Sequence, residues 1–395
     1  MEKNQYPKGF LGSVAEAQIK KPGRADLGLI YTEVPACAAG VFTKNKVKAA
    51  PLIIDIERLK SHRARAILVN SGNANACTGE DGIKDAIMLS NELSQKLGIP
   101  SEEILLASTG VIGQRLPVER ILDAIPRLIQ GLSPSNLSKV AMAIMTTDKF
   151  PKIAMRKGSY SGQDYTIFGV AKGAGMIMPN MATMLCFILT DLMVEKEALQ
   201  ASLIRGVESS FNRITVDGDT STNDMVLVLA NGLAANRPLN QEAYKVFENL
   251  LTDLMKEISR MIVKDGEGAT KLVGIKIIHA KNPKEAEEAA RAVANSLLVK
   301  TAFFGADPNW GRIIAAIGRS NCEFSPGMVD IFIDEVQIVR GGIGLGKEAE
   351  KEARLRMEKA EFQVLIDLKA GIYDYEILTS DLTYEYIKIN AEYRT

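Results

Sequence analysis

Histidine is nearly absent from this sequence, with only His62 and His279 among 395 residues. That leaves little room for chemistry that needs an imidazole as ligand or base. Excess charge is absent as well. Lys plus Arg and Asp plus Glu both total 48, so the formal net charge is zero. A balanced surface argues against nucleic acid or an anionic membrane as the main partner, because both select for basic proteins. The four cysteines, Cys37, Cys77, Cys186 and Cys322, are far apart. They form no C-x-x-C pair, which argues against a zinc or dithiol motif and leaves no metal expected. No apolar run approaches the ~20 residues of a spanning helix. Met1 to Gly9 is polar and lacks an apolar h-region. With isolated cysteines, this makes a cytoplasmic protein the expectation. Solenoid repeats and low-complexity tracts are also missing.

Apolar residues make up 46% of the chain, enough for a large core or two domains. Strand-like and helix-like patterns alternate along it. Short β-rich runs fall at Leu27 to Val34, Ala39 to Thr43, Ala66 to Val69 and Ile104 to Ala107. Asp81 to Leu97 reads as a helix with Ile83, Ile87, Leu93 and Leu97 on one side and Gly98 as its stop. A helix from Pro117 should break near Ile125, ahead of Pro126. Asn136 to Met145 is a further helix. A hairpin is expected from Ile153 to Val170 about Ser161-Gly162. Met184 to Leu189 and Met225 to Ala230 read as buried strands. Glu195 to Phe211, Gln241 to Val263 and Lys284 to Val299 read as helices, and Leu272 to His279 as a strand. Three strands are expected in the tail, at Phe362 to Leu368, Tyr373 to Leu378 and Tyr384 to Ile389. The fold class is mixed α/β, with layered sheets covered by helices. Asn282-Pro283 is the best domain boundary.

Chemistry concentrates in the stretch Lys172-Gly173-Ala174-Gly175-Met176-Ile177-Met178-Pro179-Asn180-Met181-Ala182-Thr183-Met184-Leu185. One threonine stands between a glycine-rich loop and a strand, with no histidine near in sequence. If Thr183 is a nucleophile, its most economical base is its own α-amine, free only once the Ala182–Thr183 bond is cut. Ordinary tight turns produce the same pattern. Thr109-Gly110, just after a strand, could offer a hydroxyl and an N–H to an oxyanion, or simply turn the chain. The amide-rich loop Asn70 to Gly79 reads first as a loop holding itself through Asx-type bonds. Asp217 to Asp224 lacks the spacing of an EF-hand and reads as a loop that fixes its neighbours. Gly341 to Lys347 approaches a phosphate-binding loop, but Glu348 stands where Ser or Thr should hold magnesium, so nucleotide binding is discounted. Glu348 to Lys359 reads as a solvated helix.

Taken together, Asn70 to Gly79, Ser108 to Gly113, Met145-Thr146-Thr147-Asp148, Lys172 to Leu185, Phe211 to Asp224, Asp265 to Thr270, Gly305 to Arg312 and Asn390 to Thr395 resemble the ornithine acetyltransferase (glutamate N-acetyltransferase) family of arginine biosynthesis. The resemblance spans essentially the whole chain. It implies an αββα sandwich, residues 1–280, carrying the active site, with a smaller C-terminal α/β domain, residues 281–395, whose tail returns to the site. It implies self-cleavage into an α chain of residues 1–182 and a β chain of residues 183–395, which associate as an α2β2 heterotetramer. It implies acetyl transfer from N2-acetyl-L-ornithine to L-glutamate through acetyl-Thr183, with ping-pong kinetics. Thr109 and Gly110 become the oxyanion hole. Thr146 or Thr147, Lys172, Thr183, Glu267, Asn390 and Thr395 become substrate contacts, and no cofactor is needed. Acetyl-CoA is a donor in some members of the family, and nothing in these residues decides the matter. Two other readings stand beside this one: an amidohydrolase or aminopeptidase with an N-terminal nucleophile, and a binding protein for acylated amino acids.

Overall fold

The computed structural model describes residues 6–178 and 184–392. Within them, fifteen strands form two sheets. The first holds β1 (Phe10–Ala15), β2 (Leu27–Phe42), β3 (Arg63–Asn73), β4 (Ile104–Val111), β5 (Lys152–Tyr160), β6 (Gln163–Lys172), β7 (Leu185–Thr190) and β9 (Met225–Ala230). Their order is β4-β3-β2-β9-β7-β6-β5, with β1 also on β2.

This one hydrogen-bonded sheet folds over into two layers, and β2 makes the fold. Its first half pairs with β1 and β3, and Cys37–Phe42 pairs with β9. The register with β3 shifts between Tyr31 and Ala36, around Pro35. Proline cannot donate to a ladder, so a strand accepts it at such an irregularity. Side chains alternate about the bend with period two. Ile67, Val69, Leu105 and Ala107 of one layer meet Phe168, Val170, Phe187, Leu189, Leu227 and Leu229 of the other.

The outer faces are covered by helices. Ala66, Leu68, Ile104 and Leu106 pack against α2 (Gly79–Leu97) and α3 (Val118–Gln130). On the far side, Ile167, Cys186, Ile188, Val226 and Val228 pack against α5 (Lys196–Ser209) and α6 (Gln241–Lys264). The layers therefore run helix, sheet, sheet, helix, as the family resemblance implied. The shorter α1 (Ala50–Arg58) and α4 (Leu137–Ala143) contribute Leu52, Leu137 and Val140 to the central layer.

The second sheet holds β8 (Ile214–Thr215), β10 (Leu272–Ala280), β11 (Asp330–Ile333), β12 (Val336–Arg340), β13 (Ile343–Gly344), β14 (Glu361–Asp367) and β15 (Tyr373–Ser380), in the order β13-β12-β11-β14-β10-β15-β8. Its core joins Val273, Ile275, Val364 and Ile366 to the alanine face of α7 (Pro283–Ala294) and to Phe303 of α8 (Leu297–Phe304) and Ile313 of α9 (Trp310–Gly318). Two further helices are α10 (Lys347–Met357) and α11 (Tyr384–Glu392). No helix among the described residues is long and apolar enough to cross a membrane.

Four expectations about elements need correction. α3 runs unbroken through Pro126. Burial of Ile121, Ala124, Ile125 and Leu128 outweighs one missing donor. In α2 the inward face is Ala86, Leu89 and Leu93, and Ile87 is exposed. The helix expected over Lys284 to Val299 is two helices, because Ser296 caps α8 by accepting from the Val299 N–H. Tyr384 to Ile389 is helical, not extended. Its residues alternate like a strand, but the Thr383 hydroxyl accepts the Tyr386 N–H, as a helix-capping side chain does.

Candidate active site

The glycine-rich loop after β6 is held from three directions. From below, Asp148 Oδ1 accepts the Gly173 N–H at 2.7 Å. That carboxylate also meets Lys152 Nζ at 2.7 Å, and Lys152 reaches Asp265 at 2.5 Å, all three side chains being fully buried. Burial alone would raise the Asp148 carboxyl, yet Lys172 and Lys152 beside it hold it below its ordinary value. Asp148 Oδ2 accepts the Thr146 N–H at 3.0 Å and so sets the threonine pair.

From the side, the Glu267 N–H donates to Ala174 O at 2.8 Å. A Cβ at Gly175 would lie 2.3 Å from the Glu267 carboxyl carbon, so any side chain there would displace that carboxylate. From above comes the Asp217 to Asp224 loop. Asp217 accepts the Met176 N–H at 2.6 Å and the Ile177 N–H at 2.8 Å. The Val216 N–H donates to Ile177 O at 2.6 Å, and the Thr220 hydroxyl to Met178 O at 2.9 Å. These contacts make it the neighbour-fixing loop its sequence suggested.

Around this loop lies a cavity of about 240 Å³. Thr109, Gly110, Thr146, Thr147, Lys172, Glu267 and Asn390 all line it. They come from β4, the loop before β5, β6, the loop before β10, and α11, so the topology gathers distant segments onto one surface. Both Thr146 and Thr147 face it. Ala182, Thr183 and Thr395 lie outside the described residues. Met176 lines the cavity before that gap, and Met184 and Leu185 line it after.

Lys172 Nζ donates to the Thr109 hydroxyl oxygen at 3.1 Å. Burial pushes the lysine below its ordinary value, against the raising influence of Asp148, Asp224 and Glu267. Gly110 has φ +133°, and a Cβ there would fall 2.3 Å from the Gly72 carbonyl carbon. Only glycine fits the place where β4 meets β3. Asn390 Nδ2 donates to Glu267 at 2.8 Å, which ties the last helix to the cavity wall.

The Asn70 to Gly79 loop holds itself: Asn70 Nδ2 donates to Asn73 O, Asn75 Nδ2 to Gly82 O, and the Thr78 hydroxyl to Asn75. Asn223 braces it through Ala74 O and Ser108 O at 2.6 and 2.8 Å. Sequence reasoning passed over two residues near the site, Lys152 and Tyr386, and named Asp217 and Asn223 only as members of a loop that fixes its neighbours. Asp148 lies in a loop and Lys152 opens β5, so their four-residue spacing carried no helical signal for the buried pair. Tyr386 was hidden by the strand assignment. As helix, it stands one turn from Asn390, and both line the cavity.

The family model for ArgJ matches residues 12–395. The chain is 50% identical over 390 residues to the arginine biosynthesis bifunctional protein of Geobacter sulfurreducens, covering 98% of this chain and 99% of that one. It is 45% identical over 400 residues to the glutamate N-acetyltransferase of Methanocaldococcus jannaschii, with 98% of each covered. A crystal structure of the Bacillus halodurans arginine biosynthesis bifunctional protein matches with 41% identity and a TM-score of 0.50, covering 52% of this chain and 98% of the solved one. That solved chain is therefore about half as long as this one. Near full-length matches to family model and relatives, over the very segments that build the cavity, place this chain in the ArgJ family.

Proposed function

We propose that this chain is a glutamate N-acetyltransferase that moves acetyl from N2-acetyl-L-ornithine to L-glutamate through acetyl-Thr183, after cutting itself between Ala182 and Thr183. The observation that carries this reading is the convergence of Thr109, Gly110, Lys172, Glu267 and Asn390 on one cavity that Met176 and Met184 also line. Thr183 directly precedes Met184 in the sequence.

In the precursor, Thr183 Oγ attacks the Ala182 carbonyl carbon. The C–N bond breaks, the hydroxyl proton ends on nitrogen, and an ester links the two residues. Water opens it, leaving an Ala182 carboxylate and a Thr183 with free amine and hydroxyl. An α-amine has a reference pKa of about 7.7–8.0, so a neutral fraction is present near pH 7 to take the Oγ proton. Oγ then attacks the acetyl carbonyl and ornithine leaves. The glutamate amine next takes the acetyl group, and Thr183 is regenerated.

Thr109 and Gly110 stabilise the oxyanion. A lysine ammonium can only donate, so its bond to Thr109 occupies a lone pair and leaves the hydroxyl hydrogen for the oxyanion. Lys172 and one of Thr146 or Thr147, with Glu267, Asn390 and Thr395, contact the amino-acid substrates. The solved relative of half length fits one product of such a cut.

In the same reading, residues 1–280 form the main domain and 281–395 the smaller one, which completes its sheet with β8 and β10 from the first. The products stay paired as an α2β2 assembly in the cytoplasm, and no cofactor takes part. The two relatives differ in name, one bifunctional and one a glutamate N-acetyltransferase. Incubation with acetyl-CoA and glutamate decides whether acetyl-CoA is a second donor.

The test is Thr183→Ala. It should leave a single chain on a denaturing gel and no acetylglutamate from acetylornithine. Unchanged activity in that variant would end the nucleophile assignment. Free acetate without acetylglutamate from the wild type would mark an amidohydrolase instead.

A further inference from the structure

The segment leading into residues 179–183 is held by two clamps, and the last helix reaches both. The first clamp is Asp217, which takes the N–H groups of Met176 and Ile177 at 2.6 and 2.8 Å. The second is Glu267, whose N–H fixes Ala174 O at 2.8 Å. Helix α11 places Tyr386 on the same cavity wall as Asp217, within the reach of that carboxylate's charge, and Asn390 on the Glu267 carboxylate at 2.8 Å. Four residues apart, the two side chains share one face of the helix.

The helix itself is docked. Gly268 has φ +68°, and a Cβ on it would lie 2.4 Å from the Tyr386 nitrogen. The Thr383 hydroxyl donates to Gly268 O at 2.8 Å. Burial, then the carboxylates of Asp217, Glu267 and Asp219, hold the Tyr386 phenol above its ordinary value, so it stays a donor through the neutral range. A buried carboxylate that loses a favourable polar contact is free to shift toward other partners.

We infer that α11, through Tyr386 beside Asp217 and Asn390 on Glu267, is a positioning element for the self-cleavage step, so that the chain cuts itself only once its C-terminal helix has folded into place. This rests on the cleavage proposed above. Cleavage at 182/183 needs the Thr183 hydroxyl held on the Ala182 carbonyl, and small misplacements of reacting groups cost orders of magnitude in rate. The upstream anchor of that geometry is Met176 to Met178, and Asp217 holds its first two N–H groups while Val216 and Thr220 hold the carbonyls of Ile177 and Met178. Tyr386 is then a positioning residue that acts through Asp217.

The experiment follows cleavage of full-length chain made in a cell-free translation reaction, without substrate, by sampling onto denaturing gels after synthesis is stopped. Wild type, Tyr386→Phe, Asp217→Asn and a chain ending at residue 382 are compared. Phenylalanine keeps the ring and removes only the hydroxyl. Tyr386→Phe should slow the appearance of the two fragments about tenfold, the scale of losing one favourable polar contact with a charged group. Asp217→Asn should slow it more, and the truncated chain should remain intact. Melting temperature separates positioning from general damage, since Tyr386→Phe should melt within a degree or so of wild type. Cleavage of folded Tyr386→Phe and of the truncated chain at the wild-type rate overturns the inference. The wild-type lane tests the underlying cleavage separately, since an intact wild-type chain speaks against the cut itself and not against its control.

Discussion

Lys300 offers the sharpest quantitative test of the electrostatics. Its side chain is buried behind β15, where it donates to the Thr379 hydroxyl at 3.0 Å, to Ser380 O and to the Ser380 hydroxyl at 3.3 Å. None of these partners is a carboxylate. Burial lowers its pKa from 10.5 to about 7, with Asp381 and Asp217 opposing the shift. The folded chain therefore binds this proton less tightly than the unfolded chain does. Between pH 7 and 10.5 the unfolded state still carries it, so stability rises with pH through that window, by about 1.4 kcal/mol per unit at most. The whole shift corresponds to roughly 5 kcal/mol as an upper bound.

Lys300→Met abolishes that dependence and leaves Ser380 O without its donor, at about 1–3 kcal/mol. The variant should thus be more stable than wild type at pH 6, by about 2–4 kcal/mol, and less stable above pH 10. At about 2.1 cal/mol/K per residue, 1 kcal/mol moves the melting temperature of a chain this long by roughly 1 °C. Scanning fluorimetry from pH 6 to 10.5 should show the difference between the two proteins swing by about 6 °C and change sign. Parallel curves for wild type and variant across that range would refute the reasoning.

Lys152→Met removes the cation that bridges the buried carboxylates of Asp148 and Asp265 and should destabilise the protein by about 3–5 kcal/mol, read as a lowered urea midpoint. Asp148, held below its ordinary pKa, contributes stability that is present above pH 3.8 and lost as pH falls through its lower folded value; Asp148→Asn should flatten the acid limb of a melting-temperature profile. Gly175→Ala pushes a methyl into the Glu267 carboxyl, and steady-state kinetics should show KM for acetylornithine raised more than kcat is lowered. In the proposed mechanism Thr109→Val takes away one oxyanion donor, and it should lower kcat about 10²–10³-fold with the fold intact by circular dichroism.

The layers were legible where pattern and burial agree. Met225–Ala230 and the strand after Met184 read as apolar runs because they lie between two packed faces. The bend in β2 was not legible, because Leu27 to Val34 and Ala39 to Thr43 look like two strands when Pro35 opens the short stretch of small residues that joins them. In fact Glu33 and Pro35 are exposed at the fold of one long strand. Local signals failed where tertiary contacts outweigh them. Pro126 does not stop α3, and period-two alternation does not make Tyr384 to Ile389 a strand once Thr383 caps it and Gly268 receives it. Thr109, Lys172 and Glu267 carry no local pattern that would join them. They could be named together only through resemblance, and the parallel pairing of β3 with β4, with the docking of the loop before β10, is what makes them neighbours. Asp217 was read as a fixer of neighbours, but its target lay some forty residues upstream and no spacing rule points there.

The route of the chain through the first sheet bears on what a cut near residue 182 leaves behind. β7 lies wedged between β6 and β9, six residue pairs on either side, and β9 closes six more with β2. β9 and β7, which follow residue 182, thus sit as one block between β2 and β6, which precede it. The two pieces cannot drift apart without unzipping the heart of the molecule, so a nicked protein should dissociate and denature in one and the same event.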